Sequence, residues 1–198
     1  MLQAQLLGVQ DYSSLYRFSV ADYQRLYEAG ILAADRRTEL IAGNIVEMSP
    51  IGKRHAACVN RLVHLLTAQL QGQAIVSVQN SVQMTDSFPQ PDIAVLRWRS
   101  NFYEDAYPTS ADVQLLIEVA DSTARYDRQV KGALYARESI GDYWLVDLEQ
   151  RHLEVYRSPR ADGYGDRLIL QPGETIAPIA FPDRIIAVEQ CFAALSSP

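Results

Sequence analysis

Two apolar runs in this chain each give up one position to an acid. In "PQPDIAVLRW" Asp92 stands at the mouth of a run that reaches Trp98, directly after Pro91. In "VQLLIEVADST" Glu118 interrupts the far end of a run from Val113 to Val119. Short runs rich in Val, Ile and Leu predict buried strands, and a charge placed in one is costly unless it is paired. If the two strands are antiparallel neighbours, the start of one lies beside the end of the other and the acids meet. In parallel register they would stand roughly 20 Å apart at about 3.3 Å per residue. Converging carboxylates repel, so the pair calls for a shared proton or a cation. An all-oxygen ligand set of that kind suits magnesium or manganese, with water completing the shell.

The segment that follows, "DSTARYDRQVKGALYARESIG", predicts a helix with Asp121, Ser122 and Thr123 as candidate N-caps and Gly141 at its end. Its first amides would lie beside the acid pair and favour an anion such as a phosphate. On this helix Lys131 shares a face with Leu134 and Tyr135, which aims it inward. Each residue also has a plainer reading. Pro91-Asp92 fits a strand-start turn, Glu118 an edge position beside an arginine, and Asp127 with Lys131 an i,i+4 pair on a solvated face. The site reading rests on the coincidence: two apolar strands, each with one acid at the end where they would meet.

Elsewhere the chain predicts a capped helix from Ser19 to Gly30, with Asp22 completing a capping box, and a hairpin about Gly43-Asn44 in "TELIAGNIVEMSP". A long amphipathic helix is expected from Lys53 to Leu70, carrying Ala56, Val59, Leu62, Val63, Leu66 and Leu70 in one stripe. "AIVSVQNSVQMT" reads as two short strands turning at Asn80-Ser81, and "RSNFYEDAYPTSAD" as a polar loop or short helix. "YWLVDLEQRHLEVYR" reads as a hairpin about Glu149-Gln150-Arg151, and the tail as further short strands and a final helix. With no repeat or linker, the expected organisation is an N-terminal extension over 1–17 and a single domain over 18–198.

Composition narrows the function classes. The 198 residues carry a net charge of −6, so the basic surplus usual in a protein that lives on duplex DNA is lacking, and any nucleic-acid contact must come from a local cluster or be transient. No run approaches a membrane span, and no basic residue precedes Arg17, so a secretory signal is not expected. Cys58 and Cys191 sit in apolar contexts without metal-ligand spacing and read as buried thiols, which suits a reducing cytoplasm. His55 reads as a helix-start or loop contact ahead of a catalytic base, His64 and His152 as structural or exposed, and Trp144 as strand core. Tyr135 and Tyr143 are core residues with a secondary option of lining a cleft. There is no nucleophile elbow, phosphate loop or zinc spacing.

The strand-opening "PD" followed by "IEV" resembles the PD-(D/E)XK nuclease superfamily, whose fold is the restriction-endonuclease-like one. The ordered set "ELIAGNIVEMSP", "RHAACVNRL", "QPDIAVL", "LLIEVADST", "YDRQVKGALYA" and "DYWLVDLE" is similar, from about Phe18 to the last helix, to the Uma-two group of endonucleases, abundant in cyanobacteria. The resemblance implies an α/β fold: a central mixed β-sheet flanked by helices, with an added β-rich C-terminal portion. It implies Asp92 and Glu118 as ligands of Mg2+ or Mn2+, with the backbone carbonyl of Val119 sharing the ion, and Glu39 as an assisting acid. The parent motif places a lysine two residues after the glutamate, where this chain has Ala120. In the Uma-two group that lysine has moved to the following helix, which here means Lys131.

The expected activity is metal-dependent hydrolysis of nucleic-acid phosphodiesters, DNA first. Arg97, Arg99, Arg125 and Arg128 are candidate phosphate contacts. A homodimer is expected, because such nucleases often pair to address both strands and the late hairpin offers an edge to cover. Two other readings remain: a nuclease fold that binds without cutting, which the charge and the displaced lysine favour, and a two-carboxylate glycosidase, which would leave Lys131 without a role.

Overall fold

Ser19 opens the first helix in the way its capping box predicts. In the computed structural model, which describes residues 15–33 and 36–192, the Asp22 N–H donates to the Ser19 hydroxyl and the Ser19 N–H to the Asp22 carboxylate. Helix α1 runs Val20–Glu28 and ends at Gly30, whose φ of 69° is the left-handed geometry expected just past a helix. Strands β1 (Thr38–Ile41) and β2 (Asn44–Glu47) form the expected hairpin. Its turn is one residue earlier than the sequence reading: Ala42 and Gly43 both have positive φ, 48° and 74°, the pattern of a type I′ turn. Gly43 is needed twice over, since a Cβ there would stand 2.7 Å from the Cβ of Arg17. Of the extension expected over 1–17, residues 1–14 lie outside the described ones.

Helix α2 (Lys53–Leu70) buries Cys58, Val59, Leu62, Leu66 and Leu70. They pack on one face of a six-stranded sheet in the order β3-β4-β5-β6-β7-β8. Its strands are β3 (Ala74–Val78), β4 (Ile93–Arg97), β5 (Val113–Ala120), β6 (Asp142–Asp147), β7 (His152–Arg160) and β8 (Gly163–Leu170). All neighbours are antiparallel except β5 and β6. That parallel pair is joined by α3 (residues 124–137), which covers the opposite face through Leu134 and Tyr135. The β6–β7 hairpin turns where expected, with Asp147 Oδ1 accepting the N–H groups of Glu149 and Gln150. Strands β9 (Thr175–Ile176) and β10 (Ile186–Ala187) make a small separate pair. The expected final helix is a single 3-10 turn, Val188–Cys191, and residues 193–198 lie outside the described ones. Cys58 and Cys191 are both buried and free.

Two local expectations are corrected. The stretch after β3 does not fold back as a hairpin at Asn80-Ser81. Strand β3 pairs with β4, and the intervening chain turns back later, the Val82 N–H donating to the Pro89 carbonyl and the Met84 N–H to that of Ser87, with Val82 and Met84 buried. Burial of those two side chains outweighs a turn signal that was only local. Helix α3 is not a uniform capped helix either. One α-turn (Ala124–Tyr126) is followed by a π segment (Asp127–Lys131) and then by Gly132–Arg137. Thr123 does not cap the backbone; its hydroxyl donates to Asp127 Oδ2. The helix stops at Arg137, with Ser139 rather than Gly141 in the left-handed conformation.

Candidate active site

The register of β4 and β5 pairs Ile93 with Ile117, which sets Asp92 opposite Glu118. The two acids therefore sit at adjacent ends of antiparallel neighbours and on one sheet face, and the Asp92 N–H lies 3.3 Å from Glu118 Oε2. That face is the one α3 covers. Lys131 reaches down from the π segment, with Nζ 3.0 Å from Glu118 Oε1 and 3.2 Å from Glu39 Oε1. Glu39 comes from β1 and also accepts the Gln90 N–H at 2.7 Å, which ties the N-terminal hairpin to the segment leading into β4. Tyr135, one helical turn past Lys131, donates its hydroxyl to Glu118 Oε1 at 2.6 Å. The solvated pairing of Lys131 with Asp127 is thus not what forms: Lys131 is buried and its ion-pair partners are Glu118 and Glu39.

The electrostatics follow from burial. Glu39, Asp92, Glu118 and Asp127 are four buried carboxyl groups gathered round one buried ammonium. Burial pushes Glu118 up to about 8, against the pull of Lys131, and the charges of Asp92 and Asp127 push the same way. Asp92 goes the other way. Burial alone would raise it, but the His55 hydrogen bond and charge, the Val119 amide and Gln79 outweigh that and hold it below the usual range. Burial likewise opposes the charge on Lys131, yet Glu118, Glu39 and Asp127 together hold its pKa well above the ordinary value. The Tyr135 phenol is raised by burial and by Glu118, so it stays protonated and donates.

Five residues expected from the sequence are brought together: Asp92, Glu118, Lys131, Glu39 and, through its backbone, Val119, whose N–H donates to Asp92 Oδ2 at 2.9 Å. Two that hold Asp92 were missed. His55, read as a helix-start contact, places Nε2 2.8 Å from Asp92 Oδ2, and Gln79 Nε2 lies 3.1 Å from Oδ1. Among the arginines, Arg99 pairs with Asp112 and Arg97 donates to the Ala111 carbonyl. Arg125 lies against Gln129, and Arg128 is held by Asp147 and Glu154.

That last group is a second acidic cluster. Carboxylate oxygens of Asp147 and Glu154 and a nitrogen of His152 lie within 4.8 Å of one another. It differs from the first in that its charge is met. Arg128 Nη2 sits 2.6 Å from Glu154 Oε1 and also contacts Asp147, and Arg167 takes the other Glu154 oxygen at 2.8 Å. A guanidinium stands where an ion would go. Burial would raise Glu154, but the bonds from Arg128, Tyr156 and His152 outweigh it and hold its carboxyl down to about 2. Its stabilising contribution is complete above the ordinary value of 4.5 and disappears as pH falls through about 2. Glu154→Gln should therefore flatten the acid limb of the stability curve between those values, measured by urea unfolding across pH. Mn2+ should make no difference to this effect.

A six-stranded mixed sheet with helices on both faces, and acids meeting where β4 begins and β5 ends, defines an α/β fold of the restriction-endonuclease-like class. The chain belongs to the Uma2 family, described as "Putative restriction endonuclease", whose sequence profile matches residues 20–189. Among solved structures it is similar to a protein from Anabaena variabilis ATCC 29413, described as "a putative nuclease belonging to DUF820". The TM-score is 0.69 at 16% identity, over 88% of this chain and 97% of that one. At such identity the likeness is one of fold. No curated protein matches the sequence.

Proposed function

We propose that this protein is a divalent-metal-dependent endonuclease that hydrolyses phosphodiester bonds of nucleic acid, DNA in the first instance. The observation that carries the reading is the excess of acid at the β4–β5 junction: four buried carboxyl groups met by one lysine and, at Asp92, by His55, beside a second cluster whose acids all have arginine partners. Buried charge left uncompensated is costly, and a hard cation bound by oxygen donors is what such a set accommodates. The residues present fit Mg2+ or Mn2+: Asp92 and Glu118 would hold it, with the Val119 carbonyl as a third oxygen. When bound, the cation supplies Lewis-acid stabilisation of the charge that develops on the phosphate.

The chain's own groups set the rest. Lys131 stays protonated among its acids, which supports a role in orienting the attacking water and neutralising charge rather than in taking a proton. Among the described residues two of its three N–H donors are engaged, by Glu118 and Glu39, and a third would meet a phosphate oxygen. Tyr135 and the Asp92 amide hold Glu118 in place. The net charge of −6 favours a second reading, a nuclease fold that binds without cutting. Titrating Mn2+ into the wild-type chain while following both melting temperature and plasmid nicking at low salt separates the two. Stabilisation with nicking supports the endonuclease, and stabilisation without turnover the binding module. Indifference to metal on both counts removes the metal reading.

A further inference from the structure

Asp92 is gripped from several sides, and each grip has a local cost. Gln79, the first residue past β3, has a φ of 52°, a left-handed conformation that a long side chain rarely adopts and that glycine or asparagine adopts readily. From there its backbone N–H donates to the Asp92 carbonyl at 3.2 Å while its side-chain amide lies 3.1 Å from Oδ1. His55 puts Nε2 on Oδ2, and its other ring nitrogen, Nδ1, is buried with no partner among the described residues. Strain in one residue and an unsatisfied nitrogen in the other are features a chain retains where geometry matters more than stability.

The hydrogen bonds also leave an arithmetic. A carboxylate offers about four acceptor positions. On Asp92, His55 and Val119 take those of Oδ2, and Gln79 takes one of Oδ1. On Glu118, Lys131 and Tyr135 take those of Oε1, and the Asp92 amide takes one of Oε2. Among the described residues about one position is left on each acid, on Asp92 Oδ1 and on Glu118 Oε2. We propose that Gln79 is a positioning residue: it takes one acceptor position of Asp92 Oδ1 and aims the other, while His55 and the Val119 N–H close Oδ2, so that Asp92 offers a cation one fixed oxygen position, which biases the site toward small octahedral cations and against calcium. Calcium takes six to eight oxygens and readily accepts a carboxylate through both, whereas Mg2+ keeps single-oxygen ligands and waters. This inference rests on the metal-dependent reading above.

The test uses the full chain with Gln79→Gly and Gln79→Asn, each titrated calorimetrically with Mn2+ and with Ca2+ and melted without metal. Both replacements suit positive φ, and asparagine's amide falls one carbon short of Asp92. Both variants should melt close to the wild type in the absence of metal. Their Mn2+ affinity should fall by about tenfold, as when an outer partner of a metal ligand is lost, with Ca2+ affinity falling less or rising. If Mn2+ affinity and the Mn2+-to-Ca2+ ratio stay at wild-type values, Gln79 is scaffold only and the inference is overturned. If the variants lose metal-free stability and affinity for both ions alike, the residue is structural and the inference is overturned as well. A wild-type chain that binds no Mn2+ overturns the metal reading itself, and this inference with it; the wild-type titration tells that failure from the other two.

Discussion

Lys131→Met should cost the metal-free protein about 3–5 kcal/mol at pH 8, the usual penalty for removing one partner of a buried charged group, and should abolish cleavage. The size follows from where Lys131 sits. Among the described residues its ammonium is the one buried base facing Glu118, Glu39 and Asp127, so its loss strands three carboxyl groups. Were it half of a surface i,i+4 pair with Asp127, the same change would cost only a few tenths of a kcal/mol. The pH dependence gives a second handle. Glu118 is already raised to about 8 with Lys131 in place, and Lys131 is the neighbour that pulls it down, so the variant raises it further. A buried carboxyl with a raised folded pKa holds a proton that the unfolded chain has released, so its stability falls as pH rises from the ordinary value toward the folded one. Below about pH 7 Glu118 is protonated in both proteins and its contribution to the deficit is flat; as pH rises through about 8 only the wild type lets it ionise, so the deficit should be larger at pH 9 than at pH 6. Urea unfolding at the two pH values measures both.

The residues that were legible in the sequence are those whose placement depends on strand geometry alone. Asp92 and Glu118 stand at opposite ends of two apolar runs, and antiparallel pairing then leaves no choice but for them to meet. Lys131 was found for a less secure reason. The expectation assumed a regular helical period from Thr123 onward, whereas the chain makes a π segment over Asp127–Lys131, closed by the Gly132 N–H donating to the Asp127 carbonyl. Tyr143 braces that same carbonyl with its hydroxyl, 3.2 Å away. A π turn is a local expansion stabilised by its surroundings, and nothing in "YDRQVKG" announces it. Lys131, the last residue of the expansion, and Tyr135 both arrive at Glu118 because they are four apart on the regular turn that follows, a spacing the sequence did show.

What stayed illegible depends on contacts between distant segments. His55 and Gln79 lie 37 and 13 residues from Asp92. His55 stands in the first turn of α2, where a histidine is commonplace, and Gln79 adopts a conformation for which glutamine carries no signal. The misread of "QNSVQMT" as a returning strand has the same root. Asn80-Ser81 is a fair local turn, but β3 finds its partner in β4, and Val82 and Met84 are buried by the sheet face. Arg128 shows the limit from another side. Placed near a helix start it reads as a phosphate contact, yet the fold brings Asp147 and Glu154 to it from two neighbouring strands.

Asp92→Asn should leave the metal-free fold within about 1 kcal/mol of wild type, the worth of a typical hydrogen bond, while abolishing both the response to Mn2+ and cleavage. The hydrogen bonds around Asp92 explain why the fold survives. The asparagine oxygen can take over the bonds from His55 and the Val119 N–H, and its NH2 then faces Gln79, whose own amide needs only to turn over to present an acceptor. The change also removes one of the charges that raise Glu118, which offsets the loss of an ionised acid that His55 favours. The metal response has no such compensation. At Mn2+ concentrations about 100-fold above its Kd the wild type should gain about 2.7 kcal/mol by mass action; the variant, left with one anionic ligand, should gain none. Thermal melts with and without Mn2+, paired with plasmid nicking, read all the quantities on the same samples. A variant that loses more than about 3 kcal/mol without metal would behave like the breaking of a buried ionic anchor, and Asp92 would then belong to the scaffold. A variant that keeps the Mn2+ shift would place the ion elsewhere in the molecule.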